Sequence, residues 1–278
     1  MKKLNREEIP SFLYGTAWKE EQTTPLVNMA IAAGFRGIDT ANQRKHYFEA
    51  AVGEALSSMY EAGSVTREEL FLQTKFTFLA GQDHRLPYDR NASFSKQVEQ
   101  SFASSLEHLR TEYLDSYVLH GPSQYYGLGH ADFEAWAAME KLYREGKTRA
   151  LGISNVSADQ LRELLESVKV APLFVQNRCF ARTGWDYEVR RICKEKGIIY
   201  QGFSLLTANQ RELQRSEVRA IAEGHQKTIP QVVFRFAIEV GMLPLTGTTD
   251  EEHMRQDLAA LDFQLSPEEV ETIEEIGL

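Results

Sequence analysis

Two spacings of apolar residues take turns along this chain. Short runs such as Leu70 to Phe76, Leu114 to His120 and Ile198 to Ser204 are rich in apolar and aromatic residues and read as strands. Between them, apolar residues return every three or four positions, as Val98, Phe102, Leu106 and Leu109 do, and these stretches read as helices with one buried face. The predicted strands are Pro10 to Tyr14, Gly37 to Thr40, Leu70 to Phe76, Leu114 to His120, Ala150 to Ser154, Leu173 to Asn177, Ile198 to Ser204 and Met242 to Leu245. Helices are predicted over Thr23 to Ala33, closed by Gly34, and over Glu49 to Ala62, Phe94 to Leu109, Asp132 to Glu145, Ala158 to Val168 and Tyr187 to Lys196. Two follow the seventh strand, Ser216 to Gln226 and Pro230 to Val240, where Pro230 suits a first helical turn. Glu251 to Leu261 follows the eighth strand, and Pro267 to Ile276 is one further helix.

Eight strands, each followed by helix, in 278 residues predict an α/β protein. Its expected form is a single (β/α)8 TIM barrel over residues 1–278 with extra C-terminal helices. The rival is a doubly wound open sheet, which announces itself by a Gly-rich turn after the first strand. Here that turn is Tyr14-Gly15-Thr16-Ala17-Trp18, with no GxGxxG, and Gly127-Leu128-Gly129 has no strand before it.

Composition narrows the partners. Thirty-one Lys and Arg against 40 Asp and Glu leave a net charge of −9, which argues against a nucleic-acid face or a basic membrane-surface helix. No apolar run reaches membrane-spanning length, and the start, Met1 to Glu8, has no apolar leader core. Cys179 and Cys193 form neither a CxxC motif nor a disulfide framework. The seven histidines include no HExxH, so no metal is expected. A soluble, cytoplasmic protein is expected, its oligomeric state open.

In a barrel, catalytic groups gather at the carboxyl ends of the strands. Those ends carry Asp39-Thr40, Lys75, His120, Ser154-Asn155, Gln176-Asn177, Ser204 and Gly247-Thr248-Thr249. Singly, each has an ordinary explanation: the aspartate as a cap, the lysine as a solvated end, the histidine as a structural one. Together, an acid, a lysine and a histidine on three successive strands would meet in one mouth. A lysine beside a phenol favours the phenolate and lowers its pKa, which suits a general acid.

Gly34-Phe35-Arg36-Gly37-Ile38-Asp39-Thr40-Ala41 resembles the aldo-keto reductase signature. The resemblance continues through Val52-Gly53-Glu54-Ala55-Leu56, Gln73-Thr74-Lys75, Leu119-His120, Gly152-Ile153-Ser154-Asn155, Gln176-Asn177 and Leu265-Ser266-Pro267-Glu268-Glu269. It implies a barrel that reduces aldehydes and ketones with a nicotinamide cofactor, NADP(H) favoured and NAD(H) left open. The implied tetrad is Asp39, Tyr47, Lys75 and His120. Tyr47 would be the general acid, Lys75, held by Asp39, would lower its pKa, and His120 would orient the carbonyl. Ser154, Asn155 and Gln176 would hold the carboxamide, Phe203 would stack on the ring, and Ser204 and Leu206 would line the pyrophosphate path. Gly247, Thr248 and Thr249 would meet the adenosine phosphate. Thr16, Asp39, His253 and Asp257 complete the implied cofactor contacts, and Trp18 joins Tyr47 and His120 at the substrate. A phosphate at a helix N-terminus beyond strands seven and eight also suits barrel physics.

Three departures from the family pattern stand out. The family tyrosine usually follows the aspartate by five positions; that position is Arg44 here, and Tyr47 lies eight along, after a longer basic loop, with His46 as a second candidate acid. The usual phosphate-gripping arginine appears as His253, among Asp250, Glu251 and Glu252. The chain stops at Leu278, soon after its last helix, which implies an open substrate pocket. Two alternatives remain open at this point: a Schiff-base barrel enzyme using Lys75, and a non-catalytic nicotinamide-binding regulatory subunit.

Overall fold

The computed structural model describes residues 4–278; Met1-Lys2-Lys3 lie outside them. Eight parallel strands close into a barrel in chain order. They are β1 (Leu13–Gly15), β2 (Gly37–Asp39), β3 (Phe71–Phe76), β4 (Ser116–Leu119), β5 (Leu151–Ser154), β6 (Phe174–Arg178), β7 (Ile199–Phe203) and β8 (Met242–Thr246). The ring closes where β8 pairs with β1, Leu13 opposite Leu245 and Tyr14 opposite Thr246. The helices are α1 (Thr23–Ala33), α2 (Glu49–Glu61), α3 (Phe94–Leu109), α4 (His130–Arg144), α5 (Ala158–Ser167), α6 (Tyr187–Lys196), α7 (Ser216–His225), α8 (Ile229–Glu239), α9 (Glu251–Leu258) and α10 (Pro267–Glu274).

The helices beyond the eightfold repeat are α7, between β7 and α8, and α10 at the end, which packs across α7 and α8. Trp185 Nε1 ties α10 down by donating to the Ile273 carbonyl at 2.8 Å. The first strand starts later than predicted. Pro10 has no N–H to give a neighbour, and its ring instead sits over Gly37, where a Cβ would meet it at 2.6 Å. At Gly53 a Cβ would lie 1.9 Å from the His108 carbonyl oxygen, so only glycine lets α2 lie this close to α3.

Side chains alternate between the two faces of each strand, and the inward positions change character up the barrel. Leu13, Phe71, Ala150, Phe174 and Leu243 plug its lower end. Two residues further along β3 and β6 the inward side chains are Gln73 and Gln176, and two further again they are Lys75 and Arg178. The apolar plug carries the packing, and the polar layers above it face the C-terminal mouth.

Candidate active site

Asp39, at the end of β2, accepts a 2.7 Å hydrogen bond from Lys75 Nζ on each carboxylate oxygen. Gln73 Nε2 and Gln176 Nε2 donate to its Oδ1 at 2.7 and 3.0 Å. Lys75 also donates to the Thr40 carbonyl at 2.8 Å. Gln201 closes the layer, its Oε1 accepting from Gln73 and Gln176 at 2.8 and 2.9 Å. All five side chains are buried. A buried ion pair is tolerable when its remaining bonding capacity is met, and this layer meets it. Burial pulls the Lys75 ammonium below its ordinary pKa, and the Asp39 carboxylate pulls it back. Gln73 and Gln201 were not among the predicted site residues. Their signal was an inward polar position one pleat above an apolar one.

The long basic loop is a fixed turn. Asn42 Nδ2 donates to the Ser101 carbonyl and Ser105 Oγ on α3, at 3.0 and 3.2 Å. Gln43 Nε2 donates to the Gly81 carbonyl at 2.6 Å, and the amides of His46 and Tyr47 both donate to the Gln43 carbonyl. Arg44 pairs with Glu20 at 3.0 Å. Where α2 begins, buried Glu49 accepts from the Thr74 hydroxyl and pairs with His108 at 3.0 Å. The turn thereby carries Tyr47 back over the mouth. Its ring meets His120 edge-on, centroids 5.9 Å apart, and Lys75 Nζ lies 5.3 Å from its centroid. Its hydroxyl has no hydrogen-bond partner among the described residues.

The expected lowering of the Tyr47 pKa by Lys75 is not what the structure gives. Burial pushes the phenol well above its ordinary value, and the Asp39 carboxylate adds to the effect. The main reason is that burial takes water from the phenolate; in addition, the Asp39 carboxylate, 2.7 Å from Lys75 Nζ, opposes what that cation would do to the phenol. His120 is held far below the usual imidazole range by burial, then by Lys75 and His46, so it is neutral at pH 7. Its Nδ1 lies 2.7 Å from Thr77 Oγ1. His46 stacks on Trp18 at 4.0 Å, and Trp18 is 70% exposed at the rim with a positive φ of 62°. Burial, then Lys45, lowers the His46 pKa too, which makes it a poor proton donor near neutrality.

These groups share one cavity of about 820 Å³. Trp18, Asp39, Tyr47 and His120 line one end. Ser154, Gln176, Phe203, Ser204 and Leu206 line its middle, and Gly247, Thr248, His253 and Asp257 line the far end beside the start of α9. Four predicted residues are not on its wall. Thr16 is buried, its hydroxyl donating to the Asp39 carbonyl. Asn155 turns its amide to the His120 carbonyl and Ser154 Oγ. Thr249 is exposed outside the cavity. Lys75 lies beneath the floor with its N–H groups committed, which removes the geometry a Schiff-base nucleophile needs. Two cations that the sequence reading passed over do line the cavity, Lys19 and Arg178. Lys19 donates to the Gly247 carbonyl, Arg178 lies 5.8 Å from the Phe203 ring, and neither has a carboxylate partner among the described residues.

The carboxylates around His253 turn away from the cavity. Asp250 caps α9 by accepting from the His253 amide at 2.9 Å, and Glu251 and Glu252 pair with Arg255. Asp257 stays on the wall, accepting from Thr246 Oγ1 at 2.7 Å, and burial raises its pKa from 3.8 to about 6. A carboxyl with a raised pKa stabilises the fold fully below its unfolded value and loses that contribution as pH rises through the folded one. Asp257→Asn is therefore expected to raise the melting temperature at about pH 8 while leaving it nearly unchanged at about pH 3. Equal shifts at both pH values in thermal melts would contradict this.

A closed parallel barrel whose mouth holds a buried Asp–Lys pair, a protonated tyrosine and a neutral histidine beside a long cleft has the architecture of the (β/α)8 class, with its titratable groups gathered at the carboxyl ends of the strands. The model of the aldo/keto reductase family matches residues 11–277, and the chain belongs to that family of oxidoreductases. A glyoxal reductase from Bacillus subtilis (strain 168) is 31% identical over 275 residues, covering 98% of this chain and 91% of that protein. An NAD(P)H-dependent 6′-deoxychalcone synthase from Glycine max is 30% identical, covering 93% of this chain and 82% of that protein. The crystal structure of a Bombyx mori aldo-keto reductase in complex with NADP superposes with a TM-score of 0.81 at 26% identity, covering 96% of this chain and 89% of that one. No helix among the described residues is long and apolar enough to cross a membrane.

Proposed function

We propose that this chain, acting as one barrel unit in the cytoplasm, reduces small aldehydes or ketones to alcohols with a reduced nicotinamide dinucleotide, Tyr47 being the proton donor. The observation that carries the proposal is the convergence of Tyr47 and His120 above the Asp39–Lys75 pair, at one end of a cleft that runs to the N-terminus of α9. The cleft suits a dinucleotide. Gln176 has its amide nitrogen bound to Asp39 and Gln201, which leaves Oε1 to accept from a carboxamide. Ser154 Oγ accepts from Asn155, so its own proton is available to donate. Phe203 offers a half-buried ring, and Lys19, Arg178 and the start of α9 offer positive charge to phosphates.

A bound reduced nicotinamide supplies the hydride equivalent. The chain's own residues handle the oxygen. As negative charge builds on the carbonyl oxygen, the Tyr47 hydroxyl gives it a proton. The raised phenol pKa keeps that proton in place until then. Transfer still runs downhill, because an alkoxide is a stronger base than a phenolate. The phenolate left behind lies near Lys75 until water restores its proton. His120 donates a hydrogen bond to the same oxygen and fixes its direction.

The glyoxal reductase relative makes small reactive aldehydes the first substrates to try. Loss of reduced-nicotinamide absorbance with a panel of them tests the proposal, and cofactor binding without turnover of any aldehyde would instead favour a regulatory binding subunit. NADP(H) is the favoured cofactor, with weakened discrimination against NAD(H) because His253 stands at the far end. His253→Arg is expected to tighten NADPH roughly tenfold, about 1.4 kcal/mol, and NADH much less. Equal tightening of both in fluorescence titrations would place residue 253 away from the 2′-phosphate.

A further inference from the structure

Thr77 follows β3 and lies one pleat above Lys75. It is buried, and its hydroxyl has a single partner among the described residues, His120 Nδ1 at 2.7 Å. The backbone there is held from a loop of its own. The Thr77 carbonyl accepts from the Tyr88 hydroxyl at 2.8 Å and from Gln82 Nε2 at 3.3 Å. Gln82 also donates to the Asn42 carbonyl at 2.9 Å, so the loop that fixes Thr77 also fixes the turn carrying Tyr47.

A neutral imidazole has one N–H and one bare nitrogen, and its neighbours decide which is which. With Nδ1 bare, the Thr77 hydroxyl donates to it and the site is satisfied. With the proton on Nδ1, the Thr77 hydroxyl must accept, and its own proton is left buried without an acceptor. Buried polar groups are rarely left in that state. We infer that Thr77 is a positioning residue: its hydroxyl donates to His120 Nδ1 and so fixes the neutral imidazole as the tautomer with its proton on Nε2, the ring nitrogen available to the cavity. Resting on the proposed function, this turns His120 into a donor for the carbonyl oxygen beside Tyr47.

The test is long-range proton–nitrogen NMR on protein labelled with ¹⁵N-histidine, with His120→Asn used to assign the His120 signals among the seven histidines. In the unmodified protein, Nε2 is expected in the protonated range and Nδ1 in the bare range. Thr77→Val keeps the side-chain shape and removes the hydroxyl; it is expected to give mixed tautomers. Its kcat should fall about tenfold to a hundredfold, less than complete loss of an oriented donor would cost, with cofactor affinity unchanged. Thr77→Ser is expected to restore both the tautomer and kcat. A proton on Nδ1 in the unmodified protein, or a Val variant that keeps the Nε2–H tautomer and full activity, would overturn the inference. The tautomer is read without turnover. An enzyme that reduces no carbonyl but shows the Nε2–H form lost in Thr77→Val would therefore sink the proposed function while supporting the role of Thr77.

Discussion

Tyr47→Phe is expected to lower kcat for aldehyde reduction by roughly 10²–10⁴-fold, the range for a positioned general acid. The change removes one hydroxyl that bonds to no other described residue and keeps the ring against His120 and over Lys75. Melting temperature and cofactor affinity should therefore barely move. His46→Ala should do much less, since His46 packs on Trp18 and is neutral near pH 7. Stopped-flow or steady-state rates on one aldehyde settle the matter. Near-normal turnover by the Phe variant would make Tyr47 a rim residue, and the proton would have to come from His120 or from water.

The second large effect belongs to Lys75. Lys75→Met should abolish turnover and, unlike a surface change, also destabilise the fold. Lys75 is fully buried, and removing it strands the Asp39 carboxylate inside the barrel. Breaking a buried pair from one side costs about 3–5 kcal/mol. Gln73 and Gln176 still donate to Asp39, which places the expected loss at the low end, about 3 kcal/mol. Adding Asp39→Asn removes the stranded charge, so the double variant should recover much of that stability and none of the activity. Cofactor affinity of the folded Met variant should fall less than its turnover, because Ser154, Phe203 and the far end of the cleft are untouched. Chemical denaturation of the four proteins closes the cycle. A Met variant as stable as the parent would show that Asp39 is satisfied inside the barrel without Lys75.

The barrel was legible because its two signals are local. A strand buried on both faces is mostly apolar, a helix facing a sheet repeats every three or four residues, and both patterns survive in a single stretch of sequence. The strand ends were legible too, since barrel topology sends them all to one mouth. Where the side chains at those ends turn depends on contacts between distant segments. Thr16 follows β1 as the pattern requires, but its hydroxyl turns to the Asp39 backbone. Asn155 lies at the end of β5, with its amide spent on His120 and Ser154. Lys19 and Arg178 look like ordinary surface cations until the fold sets both on the cleft wall.

The sequence by itself determined the eightfold alternation and the reductase resemblance, and through that resemblance it implied Asp39, Tyr47, Lys75 and His120 as a tetrad, because local patterns and motif residues need no partner to be read. Only the tertiary structure decided how a tyrosine eight residues past the aspartate returns to the mouth. That depends on Asn42 bonding to α3 and Gln43 to Gly81, contacts 38 to 63 residues apart along the chain. It also decided the sign of the Tyr47 shift. Pairwise chemistry lets a lysine lower a phenol's pKa, but here burial dominates, and the Asp39 carboxylate paired with Lys75 raises it further. Burial and pairing are properties of the assembled barrel, and no stretch of the chain carries them alone.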